Sequence, residues 1–263
     1  MFRSIAALFI LSSIVFSKET HQIQTVTNKP QEISGAKATV LTGLDILLEK
    51  KYYFIQGKSI ALVTNQTGID KAGIPNYQRF MAMDDVDLKI IFTPEHGLFG
   101  EAADGEKVVY DSIGIKLPTV VSLYGNIRKP TLDMLAGVNT IVYDIQDIGT
   151  RFYTYISTLG LVMEAAGELN IPVLVLDRPN PIRGDIIEGP ILDMEFRSFV
   201  GYYPISIRYG KTIGELADLM ITNNWISPAP VLDVISMEGW HEKLWFDETD
   251  LVWVNPSPNI PDL

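Results

Sequence analysis

Apolar and polar residues fall in alternating blocks along this chain, and the blocks predict strands and helices in turn. Leu88 to Phe92, inside the stretch LKIIFTPEHGLFG, is the clearest strand. Its apolar density suits a strand covered on both faces, and Pro94 ends it because proline donates no ladder hydrogen bond. Ile60 to Thr64, Thr140 to Ile145 and Val173 to Leu176 read the same way, with weaker strands at Val120 to Leu123 and Val231 to Ile235. Between them the period lengthens to that of a helix. Gly43 to Lys50 carries Leu44, Leu47 and Leu48 on one face, and Tyr155 to Leu169 carries Ile156, Leu159, Met163 and Ala166 and ends near Asn170. Pro75 to Met83 reads as a helix begun by its proline, and Thr131 to Ala136 as a short helix. Thr212 and Glu215 have the spacing of a capping box, with Leu216, Leu219 and Met220 facing inward behind them. Strands alternating with helices imply crossovers. The expected fold is therefore α/β, a Rossmann-like, mainly parallel sheet with helices on both faces.

The ends of the chain read differently. Arg3 precedes an apolar run from Ile5 to Phe16 that closes on Ser17, the pattern of a secretory signal peptide over residues 1–17 and too short a run for a comfortable membrane span. Residues 18–39 are polar without a periodic face and read as a linker. The Rossmann-like domain is expected over 40–227. Residues 228–263, rich in proline and holding Trp240, Trp245 and Trp253, read as the start of a smaller second domain that stops at NPSPNIPDL without a closing element, as in a truncated chain. The expected location is outside the cytoplasm, periplasmic or extracellular, with no stable membrane span once the leader is removed.

Four strands end alike, in polar residues with Gly or Pro: N65-Q-T-G, T93-P-E-H-G, D144-I-Q-D-I-G and D177-R-P-N-P. In a parallel sheet such ends share one edge, where α/β proteins bind their ligands, so these loops are expected to meet at one crevice. Glu95 and His96, placed there after Pro94, are candidates for acid–base work.

Composition narrows the chemistry. Of 263 residues 47% are hydrophobic, enough for a full core, while 32 acidic residues against 21 basic ones give a net charge of -11. No basic stripe is available for nucleic acid. The absence of cysteine excludes thiol nucleophiles, disulfides and thiolate metal sites. Gly210-Lys211-Thr212 opens a helix, but Ile205 stands where a phosphate loop needs its first glycine, and neither G-x-G-x-x-G nor G-x-S-x-G occurs. No redox cofactor or resident metal is expected. A magnesium site on Glu95, Asp144 and Asp147 stays open as the basis of a phosphoester hydrolase, although no basic phosphate cradle accompanies it.

What remains is a crevice of carboxylates, amides and phenols: Glu95, Asp144, Gln146, Asp147, Tyr153, Tyr155, Asp177 and Asn180. That set suits a carbohydrate. Glycoside hydrolysis needs an acid for the leaving oxygen and a second carboxylate, or the substrate's own acetamide, to support the oxocarbenium-like state. Glu95, beside Leu98 and Phe99, is placed for the raised pKa of a general acid. Asp144 and Asp147 are the partners expected to orient an acetamide or activate water, unless they cap the helix that follows.

Several of these stretches resemble one family. T-N-Q-T-G at residues 64–68, F-T-P-E-H-G-L-F-G-E at 92–101, Y-D-I-Q-D-I-G-T-R-F-Y-T-Y at 143–155, L-D-R-P-N-P at 176–181, G-E-L-A at 214–217 and M-E-G-W at 237–240 are similar to segments of the bacterial exo-β-N-acetylmuramidases. The resemblance implies removal of N-acetylmuramic acid from non-reducing ends of peptidoglycan fragments, in a cleft between a Rossmann-like domain and a smaller one, with Glu95 at the position of the proposed catalytic glutamate. Asn65, Gln66, His96, Gln146, Arg151, Tyr153, Tyr155, Asp177, Arg178 and Asn180 are the expected sugar contacts. The sugar's lactyl carboxylate calls for a cation, for which Arg151 fits and Arg178 and Arg183 are rivals. Where the family has R-H-G-x-T, this chain has Tyr209 between Arg208 and Gly210. A chain of this length also reads as lacking one wall of the cleft, which leaves a non-catalytic sugar-binding remnant as the alternative.

Overall fold

A computed structural model of the protein describes residues 36–100, 116–260 and 262; the leader expected over 1–17 and nearly all of the linker expected over 18–39 lie outside the described residues. Among the described residues six strands form one sheet: β1 (Ser59–Thr64), β2 (Asp87–Thr93), β3 (Thr119–Ser122), β4 (Thr140–Asp144), β5 (Val173–Leu176) and β6 (Leu232–Ile235). The order is β3-β2-β1-β4-β5-β6 and every pairing is parallel. The direction of winding reverses between β1 and β4, the place where such sheets open a crevice at the carboxyl ends of their strands. The fold expected from the periodicity is the fold observed. Among the described residues no helix is long and apolar enough to cross a membrane.

Two apolar layers hold the sheet. Ile60, Leu62, Ile91, Val142 and Leu174 face α1 (Gly43–Lys50) and α2 (Asn76–Met81), which contribute Leu44, Leu47, Tyr77 and Phe80. Ala61, Val63, Phe92, Tyr143 and Val175 face α3 (Tyr155–Leu169) and α4 (Ile213–Thr222), which contribute Leu159, Val162, Leu216 and Met220. Alternation along each strand sends neighbouring side chains to opposite layers, so both faces are buried and the strands read as continuous apolar runs. Three helix limits follow local chemistry. Thr42 with Asp45 and Thr212 with Glu215 close capping boxes on α1 and α4, and Asn170 ends α3 in the left-handed conformation.

Three expectations change. Residues 131–136 form turns rather than a helix, held by bonds such as Leu135 N to Thr131 O at 3.2 Å; six residues without an apolar stripe cannot repay helix nucleation. Pro75 is the N-cap of α2 with extended backbone, not its first helical residue. The sheet also runs past the boundary expected at residue 227, because β6 pairs with β5 from Val173↔Leu232 to Leu176↔Ile235.

Gly43, the first residue of α1, sits where a Cβ would lie 2.3 Å from Asp177 N and 2.5 Å from Ile235 O. Those atoms belong to the backbone at the ends of β5 and β6 and cannot step aside. Gly43→Ala is therefore expected to lower the stability measured by urea unfolding by about 1–3 kcal/mol or more, as overpacking does. Gly73→Ala, in open space but at φ +77°, is the comparison: backbone strain alone is expected to cost about 1 kcal/mol there.

Candidate active site

The loops after β1, β2, β4 and β5 meet at the carboxyl edge, and hydrogen bonds show how each is fixed. After β1, Asn65 turns its Oδ1 back to accept from Thr67 N at 3.0 Å and Thr67 Oγ1 at 2.6 Å, a side chain imitating a backbone turn. The Thr67 hydroxyl also accepts from Gln146 N at 2.9 Å, which ties the β1 loop to the β4 loop across the winding reversal. Asn65 Nδ2 donates to the Tyr155 hydroxyl at 2.8 Å, and that hydroxyl donates to Pro256 O at 2.6 Å. Gln66 Nε2 reaches the same segment, donating to Asn255 O at 2.7 Å. Residues 255–256 thus lie along the rim of the crevice.

Asp144, at the end of β4, is fully buried. Arg178, from the β5 loop, grips it in a fork, Nε to Oδ1 at 2.6 Å and Nη2 to Oδ2 at 3.1 Å, and Asn76 Nδ2 adds a bond to Oδ2 at 2.7 Å. Three donors occupy this carboxylate, and Arg178 is itself buried and also holds Ile69 O at 3.0 Å. The pair joins strand ends. Asp144 and Arg178, expected as a catalytic group and a sugar contact, are committed to each other.

Asp177 and Asn180 are likewise committed to architecture. Asp177 accepts from Gly214 N at 2.8 Å and from Thr212 Oγ1 at 2.9 Å, so its carboxylate lies against the amino end of α4. Asn180 donates to Lys211 O at 2.9 Å and accepts from Ile182 N at 3.1 Å. Its Oδ1 lies 2.4 Å from where a Cβ on Gly149 would be; Gly149, at φ +85°, is required there both for its conformation and for its size.

Asp147 differs from all of these. It is buried, its Oδ2 accepts from the Tyr209 hydroxyl and from Gly149 N at 2.9 Å, and its Oδ1 has no hydrogen-bond partner. Burial pushes its pKa up to about 6, while the bonds from Tyr209 and from the backbone of Gly149 and Ile148 hold it down. Neither Asp144 nor Asp147 caps α3, whose N-cap is Thr154. Tyr143, Tyr153 and Tyr155 surround this carboxylate closely enough for its charge to raise each of their pKa values, burial being the larger cause in each. The charge of Glu95 acts on Tyr153 in the same direction, so Tyr153 lies within electrostatic reach of both carboxylates. Glu95 is partly buried in the turn after β2, followed by His96 at φ +69° and buried Leu98. Thr93, at the end of β2, carries a buried hydroxyl without a partner, and Gln66 Oε1 is in the same state.

The structure thus brings Asn65, Gln66, Glu95, Gln146, Asp147, Tyr153 and Tyr155 to one crevice. Arg151 borders it but spends Nη1 on the carbonyls of Pro190 at 2.8 Å and Ile205 at 2.6 Å. Sequence reasoning missed Tyr209 as the partner of Asp147 and Asn76 as the partner of Asp144; 62 and 68 positions separate those pairs, so no local pattern announces them. A cavity of about 130 Å³ opens beside this crevice, between the segment leading into α1 and residues 246–254, lined in part by Thr67, Lys71, Gln146 and Arg178. Glu95 and Asp147 do not line it, and Thr67, Gln146 and Arg178 are already hydrogen-bonded to their neighbours, so the crevice with the unpartnered oxygens is the better site. Among the described residues no three His, Asp or Glu side chains are grouped to hold a metal ion.

Comparison with known proteins agrees on one family. Residues 60–263 match the profile of the N-terminal part of the exo-β-N-acetylmuramidase NamZ. A peptidoglycan β-N-acetylmuramidase NamZ of Bacillus subtilis (strain 168) is 43% identical over 256 residues, covering 96% of this chain and 60% of that protein. Two crystal structures of DUF1343 family proteins from Bacteroides fragilis NCTC 9343 match with TM-scores of 0.79 and 0.72 at 40% and 30% identity, over 86% of this chain and 57% and 58% of theirs. The chain spans somewhat under two thirds of the length of these relatives.

The buried carboxylates give two checks. Removing the arginine from a buried ion pair strands the charge, so Arg178→Ala is expected to cost about 3–5 kcal/mol in urea unfolding. The second concerns pH. With a folded pKa of about 6 against the ordinary aspartate value of 3.8, Asp147 binds more protons folded than unfolded between those values. Its ionisation therefore withdraws stability as pH rises from about 4 to above 6. Asp147→Asn removes that loss, so its stability relative to wild type is expected to climb over the window by up to about 3 kcal/mol; a flat difference would mean that Asp147 is solvated.

Proposed function

Because the chain belongs to the exo-β-N-acetylmuramidase family, we propose that it is an exo-acting glycoside hydrolase that removes N-acetylmuramic acid from the non-reducing ends of peptidoglycan fragments. One observation carries the site assignment: Asp147, buried with an unpartnered oxygen and a pKa of about 6, shares the neighbourhood of Tyr153 with Glu95. Two carboxyl groups with different environments are what glycoside hydrolysis divides into acid and base.

In this reading Glu95 gives its proton to the glycosidic oxygen as the bond from the anomeric carbon breaks. Asp147, ionised above pH 6, holds the acetamide or the attacking water on the other side and takes the proton released there. Asn65 and Tyr155 fix the wall behind the sugar, and Gln66 and Tyr153 supply polar contacts at the rim. Asp144 is left out of the chemistry, since Arg178 and Asn76 occupy its oxygens. The apolar run of residues 5–16 supports export to the periplasm or cell exterior, where such fragments arise. The family and the match to its amino-terminal part support a second, smaller domain as the other wall of the cleft.

The test is release of N-acetylmuramic acid from a chromogenic β-N-acetylmuraminide. Glu95→Gln is expected to lower kcat by at least about a hundredfold, the low end of the gain from acid catalysis. A chelator is expected to change nothing; its abolishing turnover would revive the magnesium reading. In wild type, activity is expected to fall as pH drops through about 6, where Asp147 takes up a proton. A folded wild type without turnover would leave a sugar-binding remnant.

A further inference from the structure

Four arginines border the loops at the carboxyl edge, and their surroundings divide them. Arg178 is sealed in with Asp144, and Arg151 is stretched between two carbonyls. Arg183 and Arg208 instead share an aromatic neighbour: their guanidinium carbons lie 5.9 and 5.4 Å from the ring centroid of Trp245, within cation–π range. Trp245 is the one exposed tryptophan of the four, at 40%. The carboxylate partners of these arginines are replaceable. Arg183 pairs with Asp185 at 2.8 Å and Arg208 with Glu188 at 2.8 Å, and both acids are exposed; Arg208, itself largely buried, is anchored by a second bond from Nη2 to Ile182 O while its Nη1 rests on Glu188. Arg208 Nε, moreover, is buried without an acceptor.

This patch adjoins the carboxylate crevice. Arg208 forms an isolated β-bridge with Thr150, three residues after Asp147, and its neighbour Tyr209 donates to Asp147. Phe246 N donates to Pro181 O at 3.2 Å, which ties the segment of Trp245 to the β5 loop. A chain of net charge -11 must hold an anionic ligand with local cations, and here two stand beside an aromatic face next to the proposed catalytic carboxylate.

We propose that Trp245, Arg183 and Arg208 form a subsite for a carboxylate-bearing saccharide. The indole takes the apolar face of a pyranose, and the guanidinium groups exchange Asp185 and Glu188 for the sugar's carboxylate. The inference rests on the glycosidase reading for its choice of ligand: a lactyl carboxylate is what separates N-acetylmuramic acid from N-acetylglucosamine, so these residues set the preference between the two.

The test uses the full chain carrying Glu95→Gln, with each monosaccharide titrated against the indole N–H resonance of Trp245, identified by its loss in Trp245→Phe. The acidic sugar is expected to move that resonance and to bind at least about tenfold more tightly than the neutral one, the preference shrinking in high salt. Arg183→Gln is expected to reduce the preference several-fold with the urea midpoint unchanged, and Arg208→Lys, which keeps the charge but loses the planar guanidinium, to reduce it several-fold at temperatures where the variant is fully folded. An unmoved Trp245 resonance, equal affinity for both sugars, or a preference that survives both arginine variants would overturn the proposal. Failure of the glycosidase reading has a different signature, no turnover with Glu95 in place while the preference between the sugars persists.

Discussion

The ion pair between Asp144 and Arg178 is the contact on which the carboxyl edge of the sheet depends. Asp144 ends β4, Arg178 begins the loop after β5, and Asn76 and Ile69, both from the crossover between β1 and β2, bind the same pair. Buried charges are retained only when fully paired and hydrogen-bonded, and this one has every carboxylate oxygen engaged. It therefore sets the relative position of three strand ends. The loop from Ile145 to Gly149 leaves from that fixed point, and Asp147 is held where Tyr209 and Gly149 can reach it.

Two aspartates three residues apart on one loop thus have opposite surroundings for physical reasons. Asp144 meets a cation in a fork and an amide beside it, so both of its oxygens are engaged by three donors. Asp147 meets phenols and backbone N–H groups, which stabilise an anion less than a guanidinium does, and one of its oxygens is left without a partner. Desolvation then dominates and its pKa rises to about 6. The acid–base role proposed for Asp147 needs that intermediate stabilisation, and a structural role does not.

Much of the fold was legible because its signals are local. The limits of α1, α3 and β5 coincide with the apolar periodicity and with Thr42 and Asn170 at the helix ends. The convergence of four polar strand ends followed from parallel topology alone. What could not be read were pairings across the chain. Asp144, Asp177 and Asn180 looked like crevice residues because they stand at strand ends, yet each is consumed by a partner brought from another loop: Arg178, the amino end of α4, and Lys211. Residue type and position pointed to the carboxyl edge of the sheet, where the structure gathers these loops. Dividing that edge into scaffold and chemistry required knowing which lone pairs were already taken.

The same accounting bears on the preference for an acidic sugar proposed for this acidic protein. Long-range attraction is unavailable at a net charge of -11, and within a Debye length of about 8 Å only nearby groups count. Of the arginines at this edge, Arg178 and Arg151 spend their bonds inward, Arg183 faces an exposed carboxylate, and Arg208 combines an inward bond to Ile182 O with an exposed partner in Glu188. Exchange replaces one carboxylate by another, so the guanidinium is never left bare and the desolvation it requires is already met in the unbound state. In the proposed subsite, selectivity rests on the fork of Arg183, on the guanidinium of Arg208 and on the indole beside them, rather than on the overall field of the molecule.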